Sequence, residues 1–350
     1  MALGPRTKKL LSISVKFILL PAIALLLLYF AFSGLDLQSI WQAIKGADYF
    51  YVGLSFLTGY VAFVLIGLRW LIPLEALGYR HVSKINSINA VTITYITNLV
   101  IPRAGEIARC TALNQAEGLP VSKLLGTVIM ERALDVVMLG LSILLTILLQ
   151  YGPIERFFYE LLTLRSGAAS AAVDYKYILL AILAVLVLIL YLLRRKLRHT
   201  AAYQKIAEFL SGIFAGIKSI TRLPHKWMFI VYTVLIWLMY YLMIFFMSYA
   251  FRETTALSAA NILYLMTVGG LAQLVPVQGG IGAYHSAMKI GIPILGIAAI
   301  TPNLAMAFAT LNHATQTLMQ IFTGAIALAM ISRAKVRRMS HSERSAAEKD

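Results

Sequence analysis

Three groups of residues in this chain carry the means for chemistry. The first follows Asn98 and comprises Pro102, Arg103, Gly105, Glu106 and Arg109. The second is Glu131, Arg132 and Asp135, and the third is Gln273, Pro276, Gln278, Gly279, Gly280 and Gly282, followed by His285 and Lys289. Proline cannot continue a helix, whereas the residues after it can start one, so a new helix is expected near Arg103 or Ala104 with its backbone N–H groups free. A helix N-terminus attracts anions, and arginine bonds a phosphate in a bidentate way, so the first group is a candidate phosphate cradle. Glu106 lies three residues from both Arg103 and Arg109 and can pair with either. In the second group Glu131 and Asp135 share a helix face, and Arg132 can reach Asp135. Ionisable groups inside an apolar span are costly and are functional candidates by default; the competing reading is a structural salt bridge at the interface. The third group lets backbone approach closely at its glycines. His285 and Lys289, four apart, add a titratable and a basic group, or a packed histidine.

The first and third groups are two copies of one phrase. Asn98-Leu99-Val100-Ile101-Pro102-Arg103-Ala104-Gly105-Glu106-Ile107 returns as Gln273-Leu274-Val275-Pro276-Val277-Gln278-Gly279-Gly280-Ile281, one residue shorter before the proline. Each copy interrupts an apolar stretch, and paired Pro/Gly-interrupted segments in corresponding halves point to a transporter's binding site.

The elements that must position these groups are membrane helices. Of 350 residues, 60% are apolar and 13% charged, and mean hydropathy is +0.79, outside the range of a water-soluble domain. The net charge of +16 gathers in clusters beside apolar runs, as in loops on the cytoplasmic side, so nucleic acid is not an expected partner. The single cysteine, Cys110, excludes an intrachain disulfide and a cysteine-based metal site. No Walker A loop, HExxH helix or GxSxG elbow occurs, so no cofactor or enzymatic step is expected.

Runs long enough to cross a bilayer lie near 14–33, 49–70, 123–150, 177–194, 227–250 and 303–331. The basic start with Arg6, Lys8, Lys9 and Lys16, the apolar run from Phe17 to Phe32, and Ala31-Phe32-Ser33 at its end resemble a signal peptide. That run is longer than a signal core and the topology needs it as a crossing, so it is read as the first span. Basic clusters at the N-terminus, Arg69 to Lys84, Arg194 to Lys226 and Arg333 to Arg338 place both termini and these stretches in the cytoplasm. The broken regions 85–116 and 257–300 must then each return to the side they start from, the first inside and the second outside. Each is expected to be a re-entrant hairpin, or else a pair of short crossings. The chain divides into a first repeat, 1–150, an outer loop, 151–176, a second repeat of opposite orientation, 177–332, and a basic then disordered tail, 333–350. Residues 200–222 have helical apolar spacing and fit an amphipathic interfacial helix or an extension of the preceding span. Asn303, Asn312, His313, Gln316 and Gln320 form a polar seam expected to hydrogen-bond between helices. The fold class is thus an all-α polytopic membrane protein, an inverted repeat of two halves with three spans and one hairpin each.

The order Asn98-x-x-x-Pro102-Arg103-x-Gly105-Glu106-x-x-Arg109, Glu131-Arg132-x-x-Asp135, Pro276-x-x-Gly279-Gly280-x-Gly282 resembles the lysylphosphatidylglycerol synthase transmembrane-region family of flippase-like proteins. The likeness covers nearly the whole chain; its first motif is fairly specific and the glycine motif alone is weak. It implies translocation of phospholipids or lipid-linked molecules across the bacterial cytoplasmic membrane, with an anionic phospholipid as the expected partner and a homo-oligomer left open. The chain lacks the soluble aminoacyl-transferase part of fused members, so lysyl transfer is not expected. His285 stands where relatives often carry an acid, and Gln278 where they often carry proline, which puts ion coupling and headgroup preference in doubt. A proton- or ion-coupled solute transporter, with His285 and the acidic trio as relay, is the alternative; a lipid-modifying enzyme is a lesser one.

Overall fold

A computed structural model describes residues 20–163 and 218–347, and the regular elements among them are all helical. In chain order they are α1 (Leu20–Phe32), α2 (Leu37–Lys45), α3 (Tyr49–Ala76), α4 (Lys84–Val100), α5 (Gly105–Glu117), α6 (Val121–Leu149), α7 (Tyr151–Thr163), α8 (Lys226–Tyr249), α9 (Ala259–Ala272), α10 (Ala283–Gly291) and α11 (Pro302–Ala347), with short 3-10 turns around α9 and α10. The expected span 177–194, most of segment 200–222 and the start of the first span lie outside the described residues.

Among the described residues four helices are long and apolar enough to cross a membrane: Tyr49–Ala76, Val121–Leu149, Lys226–Tyr249 and Pro302–Ser340. The α1 and α2 pair makes a fifth if its two helices, bent by 90°, are one broken span. The bend follows from local chemistry. Gly34 takes a left-handed φ of 76°, and the Asp36 carboxylate accepts from Gln38 N at 2.9 Å, capping a new helix. Asp48 caps α3 in the same manner, accepting from Phe50 N at 3.0 Å.

Two segments differ from expectation. The outer loop 151–176 opens with α7, because Ile154 and Phe157, three residues apart, bury against the core around α9 and α10. The tail is helical through Ala347. It carries good helix formers such as Arg, Ala and Glu, and it extends a helix already nucleated by the span.

The interior consists of two main apolar clusters with α11 running through both. One gathers α1, α2, α7, α9, α10 and Leu304 to Leu311 of α11; the other gathers α3, α4, α5, the start of α6 and Met319, Ala327 and Ile331 of α11. Close helix contacts rest on small residues, as expected where lipid is as apolar as the side chains. A Cβ at Gly67 of α3 would lie 2.7 Å from the Ile88 backbone of α4, and one at Gly324 of α11 would lie 2.7 Å from Ile96. Ser87 Oγ donates to the Gly67 carbonyl at 2.7 Å and fixes the α3 and α4 crossing. Helices α3 and α8 pack along their lengths, joined by Ser55 Oγ donating to the Met243 carbonyl at 2.9 Å.

Candidate functional site

The two copies of the repeated phrase form two helix breaks that touch. In the first, α4 ends at Val100 and α5 starts at Gly105, and the Asn98 side chain accepts from Gly105 N at 2.8 Å, satisfying a free amide of α5. Gly105 is buried beneath this contact, where a Cβ would collide with the Thr94 carbonyl. Between them Pro102 turns the chain and Arg103 takes φ 62°, the one non-glycine in the left-handed region among the described residues. In the second break Gly279, Gly280 and Gly282 have φ of 55°, 75° and 80°, which explains the glycine count there. Gln273 lies over Gly280, Gly282 packs on Ala24, Leu27 and Leu28 of α1, and Pro276 is exposed in the turn. The breaks meet at two points. Arg103 Nη2 donates to the Leu274 carbonyl at 3.0 Å, and a Cβ at Gly279 would lie 2.7 Å from Leu99.

Both breaks face the middle of α11. His313 Nε2 donates to the Gly279 carbonyl at 2.8 Å, and Ile96, two residues before Asn98, sits against Gly324. At 1.5 Å per residue, His313 is about 16 Å from the start of α11 at Pro302, and Gln320 is about 20 Å short of Arg333, where the basic stretch begins. Beside this meeting point lies a cavity of about 540 Å³. Asn98, Gln273 and Gly279 of the two phrases border it, with Gln316 and Gln320 of α11 and an aromatic wall that includes Tyr95 and Trp237. Arg132 and Asp135 reach it from α6, and among the described residues Arg132 is the one Lys or Arg on its lining.

Behind Arg132 is a continuous ion-pair network. Arg69 donates to Asp135 through Nη1 at 2.9 Å and Nη2 at 3.3 Å, and to Thr233 Oγ1 at 3.1 Å. Its Nε lies 3.4 Å from Glu131. Glu131, fully buried, holds Arg109 Nη2 at 2.7 Å, and Glu106 lies 3.8 Å from Arg109 and 3.5 Å from Arg132. Arg132 closes the chain on Asp135 at 3.2 Å. Three arginines face three carboxylates, so the cluster is neutral as a whole. Of the three arginines only Arg132, 45% exposed, opens to the cavity; Arg69 and Arg109 are at 1%. Arg109 also stacks 3.8 Å over the Trp70 ring, and Trp70 Nε1 donates to Thr127 Oγ1 at 2.8 Å.

The structure therefore separates residues that the sequence grouped. Arg103 and Arg109 do not line the cavity: Arg103 binds the other phrase's backbone, and Arg109 points into the buried network. Gln278 is buried in the second break, and Glu106 joins the network from the first turn of α5. His285 is buried in a ring cluster, 5.0 Å from His313 and 6.0 Å from Phe32, and Lys289 Nζ donates to the Ser33 carbonyl at 2.9 Å, at the C-terminal end of α1. The α11 seam divides: Asn312 donates to the Tyr284 hydroxyl and Asn303 Oδ1 accepts from Asp36 N at 3.2 Å, while Gln316 and Gln320 face the cavity.

By sequence Arg69 groups with a cytoplasmic charge cluster and not with the candidate residues, yet it is a central member of the network. The available signal was the apolar run Trp70 to Leu74 after it, which carries α3 to Ala76 and leaves Arg69 inside the helix.

A family model described as Lysylphosphatidylglycerol synthase TM region matches residues 17–324, most of the chain. No curated protein and no solved structure matches it.

Proposed function

This chain belongs to the lysylphosphatidylglycerol synthase TM region family, and on that premise we propose that it translocates an anionic phospholipid, without covalent change, across the bacterial cytoplasmic membrane. The observation that carries this reading is the convergence of both helix breaks on the middle of α11, beside a cavity bordered by the Arg132 guanidinium. The arms of the breaks, 17 and 13 residues in α4 and α5 and 14 and 9 in α9 and α10, are shorter than the roughly 20 residues a crossing needs, which favours re-entrant hairpins. We read the two halves as an inverted repeat, with α3, the α4 and α5 hairpin and α6 corresponding to α8, the α9 and α10 hairpin and α11. The packing of α3 on its counterpart α8 supports this, as does the placing of a site at the repeat interface near mid-depth.

In this mechanism the headgroup phosphate enters the cavity and takes the exposed face of Arg132. It competes with Glu106 and Asp135, which fall back on Arg109 and Arg69. Because the buried network stays neutral when empty, no unpaired charge is held in the membrane between cycles. Glu106 lies in the first turn of α5, so binding at Arg132 acts directly on the hairpin that carries the Arg103 contact to Leu274. Asn98, Gln273, Gln316 and Gln320 offer neutral hydrogen bonds to the rest of the headgroup. The basic stretches at Arg6 to Lys16 and Arg333 to Arg338 support reading both termini as cytoplasmic.

The test is reconstitution in liposomes with acyl-labelled phosphatidylglycerol and a membrane-impermeant quencher. Wild-type protein is expected to expose inner-leaflet label, and Arg132→Gln to slow this about ten-fold, the loss of one charge-assisted bond. Wild-type liposomes no faster than protein-free ones would remove the proposal. One observation favours a second reading: the buried His285 and His313 are two titratable rings with centroids 5.0 Å apart, and His313 borders the cavity. Proton-coupled transport of a small solute would give pH-dependent flux with no lipid movement.

A further inference from the structure

A second cavity of about 390 Å³ lies at the far end of α11, between its basic stretch and the start of α4. One wall is Ser83 and Asn86, and the other is Met330, Arg333, Arg337 and Arg338. We propose that this cleft is a separate anion site that holds the phosphate of a phospholipid of the surrounding leaflet, distinct from the translocation cavity.

The charge pattern asks for an anion. Arg333 and Arg337 are four residues apart on one helix face and are exposed, and like charges at that spacing repel unless something negative lies between them. Among the described residues neither is ion-paired with a carboxylate. Glu117, the acid at this end of α5, is engaged at the start of α4, on the wall opposite the arginines: its Oε1 accepts from Ser83 N at 3.1 Å and from Asn86 Nδ2 at 2.7 Å. It caps α4, so the attraction of the cleft comes from arginines rather than from that helix terminus. Arg338 is already fixed, donating to the Asn114 carbonyl at 3.0 Å near the C-terminal end of α5. It holds the basic stretch against the hairpin and leaves its two neighbours to bind.

The surroundings select a lipid over a free ion. Ile331 is a buried apolar residue of α11, and Arg333 begins the charged stretch two residues later, so the arginines stand at the edge of the apolar span. Met330 and Ile85, the latter 55% exposed, give the cleft an apolar flank next to its basic one. Guanidinium groups above an apolar flank at the headgroup level match a phosphate on a glycerolipid. A site there would tie the open ends of the first hairpin to the composition of the leaflet.

The experiment uses the full chain in phosphatidylcholine nanodiscs doped with phosphatidylglycerol that carries a photoactivatable group near its headgroup, and maps labelled peptides by mass spectrometry. Label is expected on peptides containing Ile85 and Met330, falling about ten-fold in Arg333→Gln/Arg337→Gln. It should persist in Lys335→Gln, which removes an exposed charge outside the cleft. An unchanged double variant, or an equal fall in Lys335→Gln, would overturn the inference, as would erasure of the label by millimolar inorganic phosphate, which would mark a soluble-anion site. Flux of the same purified protein in the liposome assay keeps the two proposals apart: cleft labelling without lipid movement would sustain this site and remove the translocation reading, and the converse would do the reverse.

Discussion

Replacing Glu131 by glutamine keeps the side chain's shape and removes one charge from a closed network. With Arg69, Arg109 and Arg132 against Glu106, Glu131 and Asp135, the cluster sums to +3 − 3 = 0, and the variant leaves +1. The excess does not fall evenly. Arg69 retains Asp135 at 2.9 and 3.3 Å and Thr233 at 3.1 Å, whereas Arg109 loses its 2.7 Å partner and retains only Glu106 at 3.8 Å. Stacking on Trp70 at 3.8 Å is of the order of 2 kcal/mol in a desolvated site and cannot replace a carboxylate. Breaking a buried pair from one side costs about 3–5 kcal/mol, and that is the expected destabilisation of Glu131→Gln. Removing the stranded guanidinium as well, in Glu131→Gln/Arg109→Met, should recover about 2 kcal/mol or more, because methionine fills the place over Trp70 without a charge. The assay is equilibrium unfolding of the four proteins of this cycle in one detergent. A Glu131→Gln loss below about 0.5 kcal/mol, or strictly additive single losses, would refute the argument that Arg109 is held by charge pairing with Glu131.

Other expectations concern the breaks. Arg103→Gly relieves a left-handed φ worth about 1 kcal/mol but removes the donor to Leu274, so overall stability should change little while amide exchange of residues 274–282 speeds up; unchanged protection there would deny the contact a holding role. Gly105→Ala should cost more than Gly280→Ala in thermal unfolding, since the first Cβ meets the Thr94 backbone, whereas the second adds about 1 kcal/mol for its left-handed φ and meets only the end of the Gln273 side chain, which can swing away. Equal losses would count against the packing described for the first break.

Much of this architecture was legible in the residues, and the gaps have physical causes. The helix breaks at Pro102 and Gly279 follow from proline's missing N–H and from glycine's access to left-handed φ, both local properties. The long helices α3, α6, α8 and α11 follow from uninterrupted apolar runs. Three-dimensional pairing was not legible. Arg109 and Arg103 share a motif, yet helix phase turns one into the buried network and leaves the other exposed at the turn, and spacing alone does not say which neighbour each will meet. Arg69 was hidden because a charge at the end of an apolar run reads as the start of a loop until the helix is seen to continue past it. The α7 helix and the helical tail were missed because polar composition was read as loop and disorder, although Ile154 and Phe157 had a core to join and the tail had a helix to extend.

The most direct check on the central claim is to fill the cavity from inside. Gly270 of α9 lines it, and a Cβ there would meet only Leu139 at 3.7 Å, so Gly270→Phe can grow into open space without moving backbone. Flux of acyl-labelled phosphatidylglycerol through liposomes holding equal amounts of folded wild-type and Gly270→Phe protein is the measurement. Translocation through this cavity predicts a loss of at least about ten-fold, one 1.4 kcal/mol step or more in the barrier to passage. Equal flux from a variant that unfolds at the wild-type temperature would contradict it.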